Sequence, residues 1–177
     1  IMTGAIVGVP GATATANAQG AYVLDGVSNG TVALTAIERS TPAADRAAVT
    51  LKDALATLKL AIGVTGINGN SAGGSPNPVS PYQLAAADFN SDGRVDLKDA
   101  LEILKYSIGV ATTSSPKWQF YDETQIISSG KTPVNDFGGS TGMITLSGDK
   151  SLGLAAVLTG DVDGSWAPPS GSTIVDS

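Results

Sequence analysis

The sequence predicts an α+β protein, with β-sandwich segments towards both ends of the chain and a pair of helices inserted between them. Three observations carry that expectation. Residues 3–37 and 118–158 hold short runs of Val, Ile, Leu, Thr and aromatic residues, broken by Gly, Asn and Pro at intervals that suit an antiparallel sandwich. Between them, Leu51, Leu55, Leu58 and Ile62 fall at i, i+4, i+7 and i+11, one stripe of an amphipathic helix. The composition agrees: 42% of the residues are hydrophobic but only 5% aromatic, a usage for short strands and small-residue helix packing.

Taken in order, Ala5-Ile6-Val7 reads as a strand, Pro10-Gly11 as a turn, and residues 12–16 alternate Thr with Ala. Asn17-Ala18-Gln19-Gly20 forms a turn, Ala21-Tyr22-Val23-Leu24 a short strand, and residues 31–37 a longer alternating strand. Gly63 stands where a helix C-terminus favours a left-handed residue. Residues 66–80 are a loop, and Ser80-Pro81 opens a brief helix to about Ala87, with Ser as N-cap and Pro at the first helical position. Beyond Pro116, Trp118–Tyr121, Met143–Leu146 and Leu154–Leu158 are strand candidates. Residues 128–142 read mostly as loop, and 168–177 as a Pro- and Ser-rich linker or tail.

Composition excludes several kinds of chemistry. The 177 residues suffice for one domain or two small ones, at ~150 residues each. Sixteen acidic residues against ten basic give a net charge of −6, which argues against a nucleic-acid surface. With no histidine and no cysteine, imidazole- or thiolate-based catalysis, zinc sites and disulfides are ruled out, leaving oxygen ligation of calcium or magnesium. Asp122-Glu123 is a poor catalytic pair, because adjacent strand residues point to opposite faces; no enzyme activity is expected. No apolar run reaches the ~18 residues of a membrane span, so no membrane insertion is expected. No signal peptide is apparent, and the start at Ile1-Met2-Thr3-Gly4 in strand-like sequence suggests a piece of something longer.

The strongest signal is an internal repeat. Val49–Val64 aligns without gaps to Val95–Val110, with eleven of sixteen positions identical. Before the second copy stands Asp88-Phe89-Asn90-Ser91-Asp92-Gly93-Arg94-Val95-Asp96-Leu97-Lys98-Asp99. Asp88, Asn90, Asp92, Asp96 and Asp99 place oxygen side chains at loop positions 1, 3, 5, 9 and 12, and Gly93 permits the sharp turn at position 6. Arg94 offers its backbone carbonyl, and Val95 is expected to tie the loop to a neighbour by a short β-pairing. This pattern suits Ca2+, and without a cation four carboxylates so close together repel one another.

Position 12 is Asp99 where the general EF-hand signature has Glu. With the amphipathic helix that follows and the duplication, residues 42–110 resemble a dockerin. The resemblance implies calcium binding and recognition of a cohesin-like protein through Leu51, Lys52, Leu97 and Lys98, the residues at loop positions 10 and 11. The first copy departs from the pattern: Pro42, Ala44, Arg46 and Thr50 stand at positions 1, 3, 5 and 9, and only Asp53 keeps a ligand type. It is expected not to bind calcium unaided. Gly160-Asp161-Val162-Asp163-Gly164-Ser165-Trp166 is a weaker metal candidate, read either as a turn or as a segment whose Asp161 or Asp163 supplies ligands in trans to a site elsewhere. A similar segment after an apolar strand recurs beside dockerin-like pairs in large bacterial surface proteins. The run Gly20–Ala36 is similar to a segment of carboxypeptidase-regulatory-like sandwiches, of the Ig-like or prealbumin-like kind.

The expected organisation is therefore a sandwich from 1–38 and 117–167, a dockerin-like module at 40–112 and the tail at 168–177. The expected role is a non-catalytic, calcium-binding structural module of an extracellular or bacterial cell-surface, adhesin-like protein, whose helices pack on the β segments and whose partners are neighbouring modules. The alternative is a dockerin-type interaction module that binds a cohesin-like protein. Exposure of Leu51 and Leu97 favours the alternative, and their burial favours the structural role.

Overall fold

A computed structural model describes residues 6–17, 21–37, 42–64, 66–69, 77–122 and 141–167. The chain is mixed α and β, with four helices and two small antiparallel sheets among the described residues. Strands β1 (Ile6–Val9) and β2 (Ala12–Thr15) form a hairpin across Pro10-Gly11. Strand β3 (Gly30–Ile37) pairs with β1 on one side and, on the other, with β5 (Thr141–Leu146), giving the order β2-β1-β3-β5. Thr31 pairs with Thr145 and Val32 with Ile144, so segments more than a hundred residues apart join in one sheet. Strands β4 (Trp118–Asp122) and β6 (Leu154–Leu158) pair separately as a two-stranded ribbon.

The helices form because their ends are capped. Helix α1 spans Pro42–Ala48, α2 Leu51–Ala61, α3 Pro81–Ala87 and α4 Leu97–Ser107. Thr50, Ser80 and Asp96 are the N-caps of α2, α3 and α4, and each helix has a complete capping box closed by Asp53, Gln83 and Asp99. Helices α2 and α4 also end alike. Gly63 and Gly109 take φ +81° and +79°, and Val64 and Val110 donate back to the carbonyls of Lys59 and Lys105, each at 2.8 Å. The sequence repeat is thus a repeat in hydrogen bonding.

Helices α2 and α4 pack against each other, and α3 lies against β6. The helical core divides in two: Val49, Ala54, Phe89 and Ile103 form one cluster, and Ala85–Ala87, Tyr121, Val157 and Val162 another. A third cluster, Val7, Val9 and Leu34, lies on the four-stranded sheet and gathers Leu152 and Leu154 beside and within β6.

Three expectations change. Ala21–Leu24 lies outside any strand, although Tyr22 and Leu24 still pack on the sheet cluster. Val95 makes no β-pairing; its side chain packs on the Val162 cluster, while its repeat partner Val49 packs on Phe89. Within residues 66–80, Gly66–Asn68 forms a single 3-10 turn. The start of the first strand, residues 18–20, 71–76, Glu123, 128–140 and the 168–177 tail lie outside the described residues.

Candidate metal centres

Helix α3 delivers Asp88 and α4 returns Asp99, so the twelve-residue loop between them is held at both ends. Asp88 accepts from the amides of Asp92 and Gly93 at 3.1 and 2.9 Å. Asn90 Oδ1 accepts from Asp92 N at 2.8 Å, and Asp92 Oδ1 from Arg94 N at 3.0 Å. Asp99 is fully buried and bridges the loop: one oxygen accepts from Asn90 N and the other from Asp96 N. Asp96 caps α4, accepting from Lys98 N at 2.7 Å. The loop therefore curls around the carboxylates of Asp88, Asp92 and Asp99. Burial, with neighbouring carboxylates adding, raises the Asp88 and Asp99 carboxyls above their ordinary value.

Asp53, the surviving acid of the first copy, is also fully buried and bridges in the same way. One oxygen accepts from Thr50 N at 2.8 Å and Thr50 Oγ1 at 2.7 Å, as the corresponding oxygen of Asp99 accepts from Asp96 N. The other accepts from Val162 N and Asp163 N, at 2.8 and 3.0 Å, across more than a hundred residues of chain.

The segment after β6 thus stands where the first half of a loop should be, and the match runs residue by residue. Asp161 accepts from Ser165 N and Trp166 N, as Asp88 does from Asp92 N and Gly93 N. Asp163 accepts from Ser165 N, as Asn90 does from Asp92 N. Gly164 takes φ +69° where Ser91 takes +61°. Val162 and Phe89, the residues after each first aspartate, are both buried in the helical core. Ser165 Oγ donates to the carbonyl of Ala48 at 3.2 Å, and Gly160 N to that of Ala86 at 2.7 Å.

The structure brings Asp53, Asp161 and Asp163 together, with one oxygen of each within 4.8 Å of the others, an arrangement that could hold a metal ion. Among the described residues no other three acidic side chains converge so closely, those of the 88–99 loop included. Burial pushes the Asp161 carboxyl up to about 6, with the charges of Asp53 and Asp163 adding. Every donor in both loops is oxygen, the chemistry of a hard cation. Sequence reasoning had kept Asp53 only as a remnant and had not singled out Ser165. The readable signal was the likeness of Asp161-Val162-Asp163-Gly164-Ser165 to Asp88-Phe89-Asn90-Ser91-Asp92.

Leu51 and Leu97, expected at a partner surface, are 57% and 59% exposed, and Lys52 and Lys98 are exposed beside them. With Leu55, Leu58, Leu101 and Leu104 they line an apolar groove of about 340 Å3 between α2 and α4. No family model matches the chain, and neither a curated protein nor a solved structure matches it. No described helix is long and apolar enough to cross a membrane.

Proposed function

We propose that the chain is a non-catalytic, calcium-binding module of an extracellular or bacterial cell-surface, adhesin-like protein, with one contiguous and one split calcium loop. The observation that carries this reading is the shared hydrogen-bond scheme of the two loops, in which matching backbone amides donate to matching side-chain oxygens. In the contiguous loop Asp88, Asn90, Asp92, Asp96, Asp99 and the Arg94 carbonyl are the ligands. In the split loop they are Asp161, Asp163 and Asp53. Calcium supplies the positive charge that lets these carboxylates stay ionised together, and so locks the helical pair to the ribbon. The four-stranded sheet is read as one face of the sandwich.

Calorimetry on chelator-treated protein tests the reading. Two calcium ions per chain are expected, with one lost in Asp92→Asn and the other in Asp163→Asn. At free calcium ~100 times the dissociation constant the gain in stability is ~2.7 kcal/mol per site, read as a rise in melting temperature. An unmoved melt in the wild-type chain rejects the reading.

The exposure of Leu51 and Leu97 favours a second reading, in which the outer face of the helical pair docks a cohesin-like protein. Of the twelve large hydrophobic side chains left exposed among the described residues, ten lie on α2, α4 and their C-terminal turns. A patch of that kind marks an interaction surface more often than a bare one. The two readings are compatible, because the loops lock one face of the helices and leave the other open. Changing Leu51 and Leu97 together to Ser is expected to abolish binding to a cohesin without lowering the melting temperature; retained binding removes the docking reading.

A further inference from the structure

Gln119 on β4 is only 3% exposed, and both polar atoms of its amide have a partner. Its Nε2 donates to Ser91 Oγ at 3.1 Å, and its Oε1 accepts from the hydroxyl of Tyr121. Residues two apart on a strand share a face, and this face lies beneath the 88–99 loop: burial pushes the Tyr121 phenol up to about 12, and the charge of Asp88 adds to it. Ser91 is the one non-glycine among the described residues with a positive φ. At the matching place in the split loop stands Gly164, which adopts that backbone freely and has no side chain to hold. The contiguous loop therefore keeps a disfavoured backbone at a residue whose hydroxyl β4 grips.

We propose that Gln119 is a positioning residue for the 88–99 loop: its hydrogen bond to Ser91 holds the loop in the cupped form a cation needs. This rests on the calcium reading above. Calcium affinity of the loop then depends on β4, and by reciprocity calcium in the loop steadies the β4–β6 ribbon.

The test is calcium chloride titration of the full chain in an Asp163→Asn background, so that the contiguous loop is read alone. Gln119→Leu and Ser91→Ala are each expected to weaken calcium binding about fivefold, the worth of one hydrogen bond. The double variant is expected to lose no more than either single one, because both remove the same contact. A purely structural role would lower the melting temperature of calcium-free protein without this shared loss of affinity. Wild-type affinity in Gln119→Leu, or losses that add in the double variant, overturn the inference. Should Gln119→Leu fail to fold, unchanged affinity in Ser91→Ala overturns it alone. Absence of calcium binding by the unmutated chain overturns the calcium reading and takes this inference with it.

Discussion

Asp161 is the residue at which the split loop is most sensitive to its surroundings. In calcium-free protein its carboxyl sits at about 6, against ~3.9 in an unfolded chain, so the folded form holds its proton more tightly. Its contribution to stability is then fully present below the unfolded value and is lost as pH rises through about 6. Asp88 and Asp99 are shifted in the same direction and add to the slope. Chelated wild-type protein is expected to lose ground against Asp161→Asn between pH 4 and 6.5 in thermal melts, and saturating calcium to reverse that order at pH 7. Gly160 is a second sensitive point. At φ +94°, a Cβ there would stand 3.0 Å from both Phe89 Cε2 and Val49 Cγ2. Gly160→Ala is expected to cost more than ~1 kcal/mol in denaturant unfolding, since it meets both backbone strain and a clash in the core.

At the scale of the element, periodicity located the helices but left open which way their leucine stripes face. The leucine stripe of α2 faces outwards; its buried positions are Asp53, Ala54 and Thr57, and those of α4 are Asp99, Ala100, Glu102 and Ile103. A hydrophobic pattern gives a helix its apolar side, but that side does not have to face inwards when small residues and bridging carboxylates build the contact. Ile103→Ala is accordingly expected to cost ~2–5 kcal/mol. Leu101→Ser, two residues away and on the open side, is expected to stay within ~0.5 kcal/mol in the same unfolding experiment. The Ser80-Pro81 cap was legible because capping has a short-range signature; Thr50 and Asp96 were read only as loop positions, and their roles as N-caps emerge in the structure. The extended Ala21–Leu24 was misread because its apolar residues dock on the sheet without a backbone partner to pair with. That β3 pairs with β5 was not legible; the sequence only grouped the two β segments together, without naming a strand pair. Register depends on side chains more than a hundred residues apart, and no local pattern encodes it.

Across the whole molecule, the contiguous loop could be read position by position, whereas the split one showed only as two fragments, a lone Asp53 and a Gly-Asp-Val-Asp-Gly segment. What hid it was sequence distance, since each half alone is an ordinary turn or an ordinary helix start. The two loops also tie different parts together: the contiguous one joins neighbouring helices, and the split one fastens the strand β6 to α2. Cutting the chain after Thr159 removes the amides of Val162 and Asp163, which Asp53 accepts from across the fold, and leaves only its local Thr50 partner. Amide exchange over residues 51–61 is therefore expected to accelerate strongly in that shortened chain, while residues 97–107 change much less. Equal protection in both helices would mean that the trans segment contributes nothing to the pair.

The split loop also sets an order on biosynthesis. The site ahead of α4 has all its parts as soon as residue 99 has left the ribosome, so that half of the pair can close while translation continues. Its twin must wait until the chain has grown 110 residues past Asp53 and Asp163 has emerged. During that interval α2 has its N-cap but not its partner, and the nascent chain carries a half-made loop that only the segment after β6 can complete.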